Sequence, residues 1–217
     1  MTEPSYLTVT RAAYDTVAAD YAELLRGALA RMPWDRAMLD TFAELVQAAG
    51  GGAVADLGCG PGRVTAYLDS LGVSAFGIDL SPGMVDVARR TYPGLRFDEG
   101  SMSALDLEDE ALAGIVAWYS IIHTPPALLP AVFAEFQRTL APGGLLLLAF
   151  QVGDERRRLE QAYGHTVSCD AYRLLPDHIA ELLSEAGIIV TARLVREPEG
   201  LEKTPQAYLL ARKAGEP

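Results

Sequence analysis

The stretch VADLGCGPGRVT, Val54 to Thr65, places Gly58, Gly60 and Gly62 between a short apolar run and a helix-like pattern. An apolar run that breaks at glycines and passes straight into a helix is the strand–turn–helix unit of an α/β sheet. The glycines let the backbone turn tightly and approach a ligand. Their spacing is G-x-G-x-G followed by Arg63, whereas a dinucleotide loop has G-x-G-x-x-G. The arginine stands where the third glycine would allow close helix–strand packing. Pro61 removes an N–H that a pyrophosphate would need. No Gly-Lys-Ser/Thr follows, which excludes a phosphate-cradling Walker loop.

Outward from this turn, strand and helix patterns alternate. AVADLG reads as a buried strand, RVTAYLDSLG as a helix stopped by Gly72, and SAFGIDL as the next strand. Ser81 is placed to cap the following helix, with Pro82 at its first position. LRFDEG and AGIVAWYS read as strands, PALLPAVFAEFQRTL as a helix, and LLLLAFQV as the fifth strand. An irregular section from Gly153 to Leu175 precedes the helix PDHIAELLSEAG. The closing runs IIVTARLV and QAYLLARK are joined too briefly for a crossover, so they are expected to pair antiparallel. Before the glycine turn, apolar residues at helical spacing predict helices over residues 10–30 and from Pro33 to the glycines at 50–52. The expected fold is α/β: a doubly wound, mostly parallel seven-stranded sheet with helices on both faces and the last strand antiparallel. Residues 1–217 are expected to form one domain, with an N-terminal helical lid over about 1–50 and a short insertion over about 153–175.

Two acids narrow the ligand. A carboxylate at Asp56, on the first strand, would repel a phosphate but attract an ammonium or sulfonium. Asp79 ends the second strand roughly 20 residues beyond the glycine turn, where an acid suits a ribose diol. A ribose, no phosphate and a cationic amino-acid part are together the features of S-adenosylmethionine.

VADLGCGPGRVT together with GIDLSPGMVDVAR resembles the class I S-adenosylmethionine-dependent methyltransferases of the bacterial small-molecule type. YDTVAADYAELL, LAPGGLLLLAF and LLSEAG extend the likeness along the chain. The resemblance implies a Rossmann-like methyltransferase fold, S-adenosyl-L-methionine as cofactor and a small-molecule methyl acceptor. By it, Asp56, Gly58, Cys59, Gly60 and Arg63 would line the methionine part, Asp79 would hold the ribose, and Leu80 and Met84 would pack near the adenine. Where the family often has an acid after the third strand, this chain has Ser101 and Met102, so a hydroxyl or a backbone N–H would meet the adenine. Trp118 and Tyr119, with Ser120, match the group the family places over the cofactor. Tyr14 and Tyr21 match its lid tyrosines, although helical spacing alone would put them in a packed core.

His123, in SIIHTPP after the fourth strand, is the candidate general base or acceptor-orienting group, and favours oxygen over nitrogen or carbon as the methylated atom. HTPP differs from the Asn/Asp-Pro-Pro-aromatic motif associated with amino groups on bases or glutamine. His165, Cys169 and Asp170 match no zinc spacing, and no metal is expected. They suit a lid or pocket wall with Tyr163 and Tyr172, and His178 suits a helix surface. A fold-sharing protein that binds the cofactor without methyl transfer, cyclase-like or regulatory, and a nicotinamide dehydrogenase are the alternative classes.

Composition is that of an ordinary globular protein. Of 217 residues, half are apolar; 18 basic against 29 acidic residues give a net charge of −11, a field that disfavours nucleic acid and anionic lipid as partners. Two distant cysteines suit a reducing compartment, and no apolar run is long enough to span a bilayer, so a soluble cytoplasmic protein is expected. The sequence leaves the acceptor and the oligomeric state open.

Overall fold

The computed structural model describes residues 4–215. In chain order the elements are α1 (Ser5–Leu24), α2 (Pro33–Ala48), β1 (Ala53–Leu57), α3 (Arg63–Ser70), β2 (Ser74–Asp79), α4 (Pro82–Thr91), β3 (Phe97–Glu99) and β4 (Leu112–Trp118). There follow α5 (Leu129–Thr139), β5 (Leu140–Gln151), β6 (Arg156–Ala162), β7 (His165–Tyr172), α6 (Pro176–Glu185), β8 (Ile188–Arg196) and β9 (Gln206–Lys213). Seven strands form one sheet in the order β3-β2-β1-β4-β5-β9-β8, parallel throughout except for β9, which runs antiparallel to both neighbours. The expected doubly wound sheet with its antiparallel last strand is the fold.

The uninterrupted apolar runs follow from burial on both faces. On β5, Leu146, Leu148 and Phe150 pack on one face against Phe133 and Phe136 of α5 and Ile179 and Leu183 of α6. Leu145, Leu147 and Ala149 meet the other face, where α2 contributes Leu39 and Phe42 and α3 contributes Val64 and Leu68. Strand order reverses between β1 and β4, which opens a crevice beyond their carboxyl ends.

Two local expectations are corrected. The first helix spans Ser5–Leu24 rather than 10–30: Pro4 precedes its first turn, and Gly27, at φ +64°, ends its run before a single tight turn at Leu29–Arg31. The section expected to be irregular is an antiparallel hairpin of β6 and β7. Ala162 pairs with His165 across a two-residue turn, Tyr163 and Gly164, both at positive φ, as a type I′ turn requires. This hairpin lies against α1, and Ala13, Val17, Ala18, Val167, Cys169 and Met84 form a separate apolar cluster there. Among the described residues, no helix is long and apolar enough to cross a membrane.

Gly58 is the position the sheet can least change. Its φ is +72°, and a Cβ there would lie 2.3 Å from Ser120 Cβ. Gly58→Ala should destabilise the protein by at least about 2 kcal/mol in chemical denaturation, from backbone strain plus overpacking. Gly94→Ala, an exposed glycine with open space around it, should stay within about 0.5 kcal/mol.

Candidate active site

A cavity lies at the carboxyl ends of β1, β2 and β4, roofed by α1. The turn after β1 contributes Gly58 and Gly60, the end of β2 Asp79 and Leu80, and the loop after β3 Ser101 and Met102. Trp118, Tyr119 and His123 come from β4 and the loop beyond it, and Tyr14 and Tyr21 from α1. Ten of these eleven were singled out by sequence as cofactor contacts and His123 as the catalytic candidate; the fold brings all eleven to one wall.

Asp79 is fixed from two sides. Its Oδ2 accepts a 2.7 Å hydrogen bond from the Gly60 N–H, and its Oδ1 accepts one of 2.8 Å from the Ser81 N–H. The carboxylate thereby ties the turn after β1 to the start of α4. Ser81 continues the chain of contacts: its Oγ accepts from the Met84 N–H at 3.1 Å and donates to Asp15 Oδ1 of α1 at 2.6 Å. Asp15 Oδ1 also accepts from the Gly83 N–H, so α1 supplies an acid to the N-terminus of α4.

Tyr14 and His123 meet directly. The Tyr14 hydroxyl lies 2.7 Å from His123 Nε2, and His123 Nδ1 lies 2.8 Å from the Asp170 carbonyl of β7. A carbonyl only accepts, so Nδ1 carries the proton, and in the neutral ring Nε2 accepts from the tyrosine. Burial lowers the His123 pKa below the ordinary histidine value and raises that of Tyr14. Both groups are therefore neutral at pH 7. Tyr21 stands over the glycine turn, where a Cβ on Gly60 would touch its ring at 3.7 Å. Its ring meets Tyr163 edge-on at 5.0 Å, so the hairpin's left-handed tyrosine buttresses the lid helix.

Four residues singled out by sequence stand off the cavity wall. Cys59 is buried with Val85, Ala88 and Phe97, and its N–H donates to the Ile78 carbonyl at 3.2 Å. Met84 packs towards α1 with Ala13 and Val17 rather than over the sheet edge, because α1 covers that side of α4. Asp56 lies fully buried behind the turn, its Oδ2 accepting from Thr65 Oγ1 at 2.7 Å. Arg63 sits at the start of α3. Asp56 Oδ1, Arg63 Nη1 and Trp118 Nε1 are buried with no hydrogen-bond partner among the described residues. Of the three residues suggestive of metal ligands, His165 is taken by Asp20 of α1 at 2.6 Å, and Cys169 is packed in the apolar cluster.

Tyr6, Thr10, Arg11, Ser81, Ser120 and Thr124 also line the cavity. Pro4 marks a helix start early enough to put Tyr6 and Thr10 on the Tyr14 face of α1, a signal present in the sequence. Ser120 is held by a 2.6 Å hydrogen bond from its Oγ to the Leu57 carbonyl, which no spacing announces.

A reversing α/β sheet with Asp56 and Asp79 on its first two strands, a glycine turn after β1 and a helical roof defines a Rossmann-like cavity. Comparison with known proteins points to one kind of enzyme. Residues 54–144 match the family model described as a methyltransferase domain. Trans-aconitate 2-methyltransferase of Methylobacterium nodulans is 36% identical over 129 residues, covering 52% of this chain and 48% of that protein. The chain thus aligns with about half the length of that relative. A crystal structure of 1,6-didemethyltoxoflavin-N1-methyltransferase from Burkholderia thailandensis, with bound 1,6-didemethyltoxoflavin and S-adenosylhomocysteine, superposes with a TM-score of 0.71 at 22% identity, over 99% of this chain and 92% of that one. Magnesium protoporphyrin IX methyltransferase from Synechocystis PCC 6803 with bound S-adenosylmethionine gives a TM-score of 0.72 at 17% identity, over 99% and 100%. Residues 54–144 thus match a methyltransferase domain, and the chain shares its fold with solved methyltransferases that hold S-adenosylmethionine or S-adenosylhomocysteine.

Burial raises the pKa of both Asp56 and Asp79 to about 6. The folded state therefore binds more protons than the unfolded chain between about pH 4 and pH 6, and stability falls as pH rises through that window. This is opposite to the usual effect of a paired carboxylate. Asp56→Asn should remove that slope for one group, stabilising the ligand-free protein at pH 7 by about 2 kcal/mol relative to its effect at pH 4, read by urea denaturation at both values.

Proposed function

We propose that this chain transfers the methyl group of S-adenosylmethionine to an oxygen of a small-molecule acceptor. The observation that carries this reading is the Tyr14–His123 pair, set in the same cavity as the glycine turn and Asp79. When bound, S-adenosylmethionine supplies an electrophilic methyl on a sulfonium. The residues present suit it. Asp56 Oδ1 and Arg63 Nη1, behind the turn and off the cavity wall, are buried with no hydrogen-bond partner among the described residues, and the ionised Asp56 carboxylate favours a cation in the cavity through its field. Asp79 keeps a second acceptor site on each oxygen for a ribose diol. Ser101 and Met102 stand at the adenine end, and Trp118 and Tyr119 on the β4 side.

The protein's remaining tasks are to align the acceptor, exclude water and manage one proton. Tyr14 is a donor to a neutral imidazole whose Nδ1–H is locked on the Asp170 carbonyl. As an acceptor hydroxyl becomes nucleophilic, its proton passes to the Tyr14 oxygen while the Tyr14 proton passes to His123 Nε2. The proton ends on the imidazolium, beside a carbonyl that already accepts from the ring. In this reading α1 and the β6–β7 hairpin act as the lid and acceptor-side insertion.

By calorimetry, Asp79→Ala should abolish S-adenosylhomocysteine binding; wild-type affinity would remove the ribose role. S-adenosylmethionine affinity should fall about tenfold per unit as pH drops below about 6, because Asp56 must give up a proton to meet a cation. A metabolite screen for S-adenosylhomocysteine release should identify hydroxyl-bearing acceptors, and cofactor binding with no release from any acceptor would favour a binding protein instead. With an acceptor in hand, Tyr14→Phe and His123→Gln should each lower kcat by about 10²- to 10⁴-fold with cofactor affinity kept. The acid limb of the wild-type pH–rate profile should lie below the ordinary histidine pKa and vanish in His123→Gln. An unchanged profile would exclude His123 as the base.

A further inference from the structure

A second cavity, of about 230 Å³, lies between α1 and the β6–β7 hairpin. Its walls are Ala13 and Val17 from the helix and Leu159, Val167 and Cys169 from the hairpin, with Tyr14 on the side towards the active site. Among the described residues, no charged one lines it. Two of its polar side chains are already engaged: the Tyr14 hydroxyl with His123 Nε2 at 2.7 Å, and the Gln161 amide with Thr166 Oγ1 at 3.0 Å. The cavity is open to solvent on one side, so water that fills it is exchangeable and is released when an apolar body covers its largely apolar walls. A space of this volume has room for a ring system larger than benzene.

Its position gives it a use. Tyr14 belongs to the wall of both cavities. A molecule lying between α1 and the hairpin would lie against the Tyr14 side chain, whose hydroxyl bonds His123 on the side of the first cavity. We infer that this cavity seats the uncharged aromatic or aliphatic body of the methyl acceptor, leaving its reacting hydroxyl at Tyr14; the assignment of the occupant as acceptor rests on the methyl-transfer reading. The acceptor is then a largely apolar molecule with one hydroxyl. A polycarboxylate would find no cation in this cavity and would approach a chain of net charge −11.

The test uses the S-adenosylhomocysteine-loaded protein and two fluorescent probes that differ by one charge. N-phenyl-1-naphthylamine is neutral; 8-anilinonaphthalene-1-sulfonate is its sulfonated counterpart. The neutral probe should bind saturably at one site, and the sulfonate at least tenfold more weakly. Val167→Trp, which fills the cavity, should weaken the neutral probe at least tenfold while S-adenosylhomocysteine affinity stays within twofold by calorimetry. Leu159→Trp, at a half-buried hairpin position, gives the same readout if the first variant does not fold. Equal or tighter sulfonate binding, or unchanged neutral-probe binding in a folded filled variant, would overturn the assignment of an apolar seat. An acceptor found by the metabolite screen should displace the neutral probe from the wild type; one that is methylated without displacing it would overturn the role as acceptor site. Probe binding needs no methyl transfer, so failure of the catalytic reading is seen separately.

Discussion

The Asp79 carboxylate holds the site together. By accepting from Gly60 on one oxygen and Ser81 on the other, it fixes the turn after β1 against the turn after β2. From there a line of hydrogen bonds leaves the sheet: Ser81 to Asp15, along α1 to Tyr14, on to His123, and through it to Asp170 of the hairpin. Sheet, roof and hairpin are thus joined through groups that also face, or flank, the reaction cavity.

Desolvation gives those groups their chemistry. Asp56 and Asp79 are buried without a cation bonded to them, which raises both pKa values and leaves the ligand-free fold holding unfavourable negative charge at pH 7. On the proposed reading a positively charged ligand would relieve that cost. The same burial keeps His123 neutral and able to accept a proton.

Much of this was legible in the sequence because local rules governed it. The glycine turn, the acids ending β1 and β2, and the alternating strand and helix patterns each follow from backbone geometry or from two-sided burial. The hairpin escaped notice because β6 is mostly exposed and shows little apolar alternation. Its I′ turn is Tyr-Gly rather than the favoured Asn-Gly, with Tyr163 kept in a left-handed conformation that its ring contact with Tyr21 accompanies. Cys59 and Met84 were read as ligand-facing from their place in motifs, but a motif fixes a backbone position, and packing against α4 and α1 turned both side chains away.

The sequence by itself determined the doubly wound sheet and the kind of cofactor its first turn admits, since periodicity, glycine spacing and the sign of a charge act over a few residues. Only the tertiary structure decided that Tyr14 donates to His123, that the carbonyl of Asp170 sets the imidazole tautomer, and that α1 and the hairpin enclose an apolar space beside them. Those contacts join residues 109 and 47 positions apart. No local pattern encodes them, because they exist only once the sheet has placed three separate elements at one edge.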